Sequence, residues 1–167
     1  MLKKSTSLIT MAVMAVMVMT AVTFTSCVMD EDEPEFSLRP GDPLPTFSVT
    51  MNDGTVVTPE SLAGAKAVIV FFNTSCPDCR RELPEINRRW LAAQAQGSAT
   101  RFICVARDEG AASISAFWEQ EGLTLPWSAQ ADSRIYSLFA SSGIPRVYVV
   151  SPQSVITAVY TDADLTR

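Results

Sequence analysis

Two cysteines with two residues between them, Cys76-Pro77-Asp78-Cys79, are the side chains of this sequence best spaced to do chemistry. An apolar run over residues 67–72 leads into the polar corner Asn73-Thr74-Ser75, and a stretch of helical periodicity follows the pair. That order puts Cys76 at or just before the first turn of a helix. There the unpaired backbone N–H groups and the helix dipole favour negative charge, and so favour a thiolate. A second thiol one turn on can attack a mixed disulfide made by the first. As a structural staple the pair would do little, because so small a loop removes little entropy from the unfolded chain. The spacing therefore reads as a dithiol–disulfide site, with Pro77 and Asp78 between the sulfurs where side chains tune the couple. Asp78 opposes the helix start, since its negative charge disfavours a nearby thiolate.

Other chemistries are excluded or weakened by what the chain lacks. It has no histidine, which removes Ser-His-Asp and Cys-His nucleophile pairs and all His-ligated metal sites. A structural zinc site would need two more ligands at matching spacing, and no second cysteine pair exists, so no metal or other cofactor is expected. Cys104 lies between Ile103 and Val105 and reads as a small buried hydrophobe. Arg80, Arg81, Arg88 and Arg89 read as a solvated helix face. A formal net charge of −5 gives no basic footprint for nucleic acid.

The elements that must hold the pair follow from periodicity and breakers. Residues 47–51 and 55–58 flank Asn52-Asp53-Gly54, which predicts a hairpin. Residues 59–64 predict a single helical turn stopped by glycine. Residues 67–72 and 102–106 are continuous apolar runs, as for buried strands. A helix is predicted over 77–96 with Leu83, Ile86, Trp90 and Leu91 inward and a kink at Pro84. Further helices are predicted over 113–121 and 131–140, and strands over 147–150 and 155–160. This succession implies an α/β fold, a mixed central sheet flanked by helices, with an N-terminal β-hairpin extension.

The chain begins with a basic head, Lys3 and Lys4, then an uncharged apolar run over 8–24, then small residues before Cys27. That is the pattern of a secretory signal. Phe24-Thr25-Ser26-Cys27 resembles a bacterial lipobox, with Phe24 where leucine is usual, which would make Cys27 a lipidated first residue. The acidic run Asp30-Glu31-Asp32-Glu33-Pro34-Glu35 suits an extended tether and resembles the surface-export signal of Bacteroidetes lipoproteins. The expected organisation is a signal over 1–26, a lipidated cysteine and acidic tether over 27–38, and one folded domain over 39–167.

Several of these pieces, in this order, resemble the TlpA/ResA type of thioredoxin-fold thiol–disulfide oxidoreductases. They are the Gly41-Asp42-Pro43-Leu44-Pro45-Thr46-Phe47 lead-in, the Ser61-Leu62-Ala63-Gly64 turn, the stretch from Phe71 to Pro84, and Gly143-Ile144-Pro145 before a strand. The resemblance implies a thioredoxin-like fold in the cell envelope, periplasmic or outer-surface facing. It makes Cys76 the attacking thiol, Cys79 the resolving one and Pro145 a cis-proline that brings the Ile144 backbone beside Cys76. Arg146, next in line, could meet an acidic residue of a partner or keep Cys76 ionised. The implied substrates are disulfide-containing proteins, with reduction favoured and a membrane thiol protein as electron donor. Departures are visible too. Ser75 replaces the usual aromatic, the buried acid of thioredoxin falls on Val70, and the closing helix is reduced to Asp162-Ala163-Asp164-Leu165 or missing. Glu82 or Glu85 would then have to accept the Cys79 proton. Two alternatives stand beside this reading. One is a peroxiredoxin-like peroxidase, disfavoured because Thr74 is misplaced for a Pro-x-x-x-Thr-x-x-Cys loop. The other is a non-catalytic binding lipoprotein with a permanently closed bridge.

Overall fold

The computed structural model describes residues 36–161. Cys27, the signal, most of the acidic tether and the 162–165 segment lie outside the described residues. A short hairpin pairs β1 (Val49–Thr50) with β2 (Val56–Val57) antiparallel. Its turn is made as the Asp-Gly pair requires: Asp53 Oδ1 accepts from the Thr55 amide at 2.9 Å, and Gly54 takes φ 84. The helical turn α1 (Pro59–Leu62) starts in a reciprocal Thr58/Ser61 capping box with proline in the first turn.

The main sheet has five strands in the order β5-β4-β3-β6-β7: β3 (Ala67–Phe72), β4 (Arg101–Ala106), β5 (Trp127–Ser128), β6 (Arg146–Val150) and β7 (Ile156–Thr161). β3–β4 and β4–β5 are parallel, β3–β6 and β6–β7 antiparallel. The parallel pairs need crossovers. They are supplied by α2 (Pro77–Ala95) between β3 and β4 and by α3 (Ala111–Glu121) between β4 and β5.

Strand periodicity divides the core into two layers. Ala67, Ile69 and Phe71 of β3 pack in one, with Ile103, Val105, Tyr148, Val150, Leu62, Tyr136 and Phe139. Val70 and Phe72 point the other way, onto Cys79, Leu83 and Ile86 of α2 and Ile114, Phe117 and Trp118 of α3. Phe71 anchors the first layer, its ring 4.8 Å from Phe139 and 5.3 Å from Tyr136. Each such aromatic pair adds about 0.5–1.5 kcal/mol beyond area burial. The mixed sheet with helices on both faces is the expected thioredoxin-like fold.

Three local features differ from the expectations. Leu91 of α2 is 49% exposed rather than inward, and the buried positions include Glu82 and Asn87 instead. The helix predicted over 131–140 is only α4 (Arg134–Ser137). Tertiary partners win there. The Phe139 carbonyl accepts from the Leu38 amide at 2.9 Å and from Tyr148 Oη at 2.9 Å, and Ser37 bridges Ala140. The same contacts dock residues 36–38, assigned above to the tether, onto the domain. Finally, β5 has no counterpart among the strands expected from the sequence. It is two residues long and follows Pro126, and its partners are remote: Asn52 exchanges both backbone and side-chain bonds with Trp127.

Candidate active site

Cys76 is the N-cap of α2, with extended backbone (φ −78, ψ 121) and no side-chain capping bond of its own. Pro77 at the first helical position costs nothing, because that N–H would be unpaired. The turn before it is wired by Asn73. Asn73 Oδ1 accepts from the Ser75 amide at 2.8 Å, its Nδ2 donates to the Arg107 carbonyl at 2.8 Å, and its carbonyl accepts from the Cys76 amide at 3.1 Å. Cys76 is partly exposed and Cys79 fully buried one turn later, both as unbridged thiols.

The second wall of the site is the turn before β6. Ile144–Pro145 is a cis peptide, and the Cys76 thiol donates to the Ile144 carbonyl at 3.6 Å. Tyr136 Oη donates to the carbonyls of Gly143, at 2.7 Å, and Ser142. Arg146 Nη2 donates to the Ser142 carbonyl at 2.7 Å and Nη1 to Ser37 Oγ at 2.5 Å. Gly143 is needed there on two counts. Its φ is 81, and a Cβ would stand 3.0 Å from Arg146 Nη2. Arg146 therefore corrects one expectation. At 7% exposure, with its guanidinium bonded within the chain, it braces this turn and is not presented to an acidic residue of a partner.

Charge at the site is locally compensated. Asp78, between the sulfurs, is paired with Arg81 Nη1 at 2.7 Å, and Arg81 Nε also donates to Glu82 Oε1 at 3.1 Å. The two carboxylates considered for the Cys79 proton separate clearly. Glu85 lies on the outer face, where hydrogen bonds from Arg88 and Arg89 draw its carboxyl down to about 2. Glu82 is 5% exposed and three residues after Cys79 on the same helix, the spacing at which side chains are neighbours. Burial pushes the Cys79 thiol well above its ordinary value of 9.0, and Cys104 is pushed up by burial alone. Val70 is buried between Cys104 and Val147, so no carboxylate enters from the central strand. Among the described residues no group of three metal-ligating side chains converges.

Two features had no signal in the sequence. Arg107 stacks over the Tyr136 ring at 4.5 Å, and the buried carboxylate of Glu109 accepts from the Thr74 amide at 2.7 Å and from the Thr74 hydroxyl. Both residues follow β4, remote in sequence from the turns they brace.

Comparison with known proteins agrees with this architecture. The chain is 21% identical over 125 residues to the thiol-disulfide oxidoreductase ResA of Bacillus subtilis, covering 75% of this chain and 69% of that protein. A proposed protein disulfide isomerase from Bacteroides thetaiotaomicron superposes with a TM-score of 0.69 at 28% identity, covering 76% of this chain and 84% of that one. Peroxiredoxin Q of Xanthomonas campestris superposes with a TM-score of 0.60 at 18% identity, over 74% of this chain and 88% of that one, a likeness of fold alone. The AhpC/TSA family model matches residues 40–159, the lead-in, both walls of the site and all of the main sheet but its last two residues: the chain belongs to the AhpC/TSA family.

Proposed function

We propose that this chain is an extracytoplasmic thiol–disulfide oxidoreductase of the ResA type that reduces disulfides in partner proteins, held to the membrane by acyl chains on Cys27. The observation that carries the reading is the pairing of a partly exposed Cys76, 3.6 Å from the Ile144 carbonyl, with a buried Cys79 one turn behind. The Cys76 thiolate attacks one sulfur of the substrate disulfide. That S–S bond breaks, and the departing thiolate takes up a proton. Cys79 then loses its proton, with Glu82 the carboxylate placed to receive it, and attacks Cys76. The second substrate thiol leaves, two electrons have passed to the substrate, and the chain holds a Cys76–Cys79 disulfide. A membrane thiol protein returns the electrons. Pro77, Asp78 and Ile144 border the substrate's path. Pro145 orients the Ile144 carbonyl, and Arg146 holds that turn from behind.

The peroxidase alternative is less well supported, because the hydroxyl of Thr74 is committed to Glu109 and not to a thiol. A binding lipoprotein with a permanent bridge remains the contrasting outcome of the test. The test is the reduction potential of Cys76–Cys79, with a Cys79→Ala variant offered disulfide-bonded proteins. A potential near about −270 mV and a trapped Cys76 adduct support a reductant, whereas one near about −120 mV would indicate an oxidant. A bridge that resists reduction and traps nothing overturns the enzyme reading.

A further inference from the structure

The segment from Arg107 to Glu109 touches both walls of the site. Its amide at Arg107 donates to the Phe72 carbonyl at 2.8 Å, and its carbonyl there accepts from Asn73 Nδ2. Glu109, 8% exposed, uses both carboxylate oxygens on Thr74, two residues before the nucleophile, and Thr74 is itself buried. On the other side Arg107 stacks on Tyr136, whose hydroxyl holds the Ser142 and Gly143 carbonyls. Between Arg107 and Glu109 the chain turns through Asp108 at φ 54, a left-handed conformation uncommon outside glycine. That turn lets one short segment serve Asn73 and Tyr136 with Arg107 and Thr74 with Glu109, two positions on. A non-glycine residue held there has to be supported by its surroundings. The Glu109 bridge to Gln130 supplies part of that support, its amide donating at 2.7 Å and its carbonyl accepting at 3.1 Å.

We propose that Glu109 is a positioning residue for Cys76. Its carboxylate clamps Thr74, which fixes the Asn73–Cys76 turn and so the distance from the thiol to the Ile144 carbonyl. This rests on Cys76 being the attacking thiol. Glu109 does not touch a substrate. It acts through Thr74, whose amide and hydroxyl would otherwise be buried without an acceptor.

Alkylation of the reduced protein by iodoacetamide tests this, read by mass spectrometry at each cysteine between about pH 6 and 9, beside the reduction potential. Glu109→Ala is expected to slow alkylation of Cys76 about tenfold, the scale of a modest misplacement of a reacting group. Glu109→Gln can still accept from the Thr74 amide and donate to its hydroxyl, so it is expected to recover most of that rate. Thr74→Val, which loses only the hydroxyl bond, is expected to be about threefold slower. Fully buried Cys104 reports loss of fold in the same samples. A Glu109→Ala rate within about twofold of the parent overturns the proposal, as does a Glu109→Gln rate as low as that of Glu109→Ala. If Glu109→Ala does not fold, Thr74→Val decides: an unchanged rate overturns the clamp. Iodoacetamide needs no partner protein, so the outcome is independent of whether the chain reduces disulfides.

Discussion

Replacing Glu82 by Gln isolates the step in which Cys79 resolves a mixed disulfide. A thiol of ordinary value 9.0 is about one part in a hundred thiolate at pH 7, and burial raises the Cys79 thiol further, so its free thiolate is scarcer still. Without a proton acceptor the resolving rate should climb about tenfold for each pH unit below that raised value. With Glu82 taking the proton as the sulfur attacks, the rate should depend only shallowly on pH. General-base assistance of this kind is worth roughly 10²–10⁴ in rate, so Glu82→Gln is expected to be slower at pH 7 by about 10²-fold. The gap should close by about tenfold per unit as pH rises and unassisted thiolate takes over. The assay is a single turnover in which Cys76 is converted to its mixed disulfide with thionitrobenzoate and release of the second thionitrobenzoate by Cys79 is followed optically. Equal rates for the variant and the parent at pH 7, or a full tenfold-per-unit slope in the parent, would falsify Glu82 as the acceptor.

Other perturbations separate the supports of the fold from its chemistry. Asn87 Oδ1 accepts from the amides of Thr124 and Leu125 at 2.9 and 3.1 Å, locking α2 to the chain between α3 and β5. Asn87→Ala should cost about 2–3 kcal/mol by leaving these donors unpaired, while Asn87→Asp, still an acceptor, loses less than half as much in urea titration. Cys79 and Cys104 are acids raised in the folded state above 9.0, so their contribution is fully present below pH 9.0 and falls as pH rises. Stability should drop by about 1.4 kcal/mol per pH unit for each above that point, and Cys104→Ala should halve the slope. Tyr136 and Tyr148, raised from 10.0 chiefly by burial, add to the loss at higher pH. For the anchor, Cys27→Ser is expected to abolish palmitate labelling and move the protein from the membrane to the soluble fraction. Labelling that survives the substitution refutes Cys27 as the lipid site.

The local rules read from the chain hold wherever an element is set by its own residues. The continuous buried runs of β3 and β4, the Asp53-Gly54 hairpin and the short helical turn α1 before Gly64, at φ 83, each depend on neighbours within a few positions. So does the placement of Cys76 at the start of α2 with Cys79 buried one turn on. The reading falters where a remote partner overrides propensity. Residues 138–140 leave the helix because Leu38 and Tyr148 claim the Phe139 carbonyl, and Trp127–Ser128 becomes a strand because the edge of β4 is open beside it. Arg146 and Glu109 make the same point at the site. A charged side chain's role depends on which acceptors or donors the fold brings to it, and burial makes those bonds obligatory. Ser37, Ser142 and Gly143 claim Arg146, and Thr74 claims Glu109. The dithiol was legible in the chain because its chemistry depends on two residues a single helical turn apart. Its bracing was not, because those partners lie 35 residues from Thr74 and 109 from Arg146 and meet only once the sheet has formed.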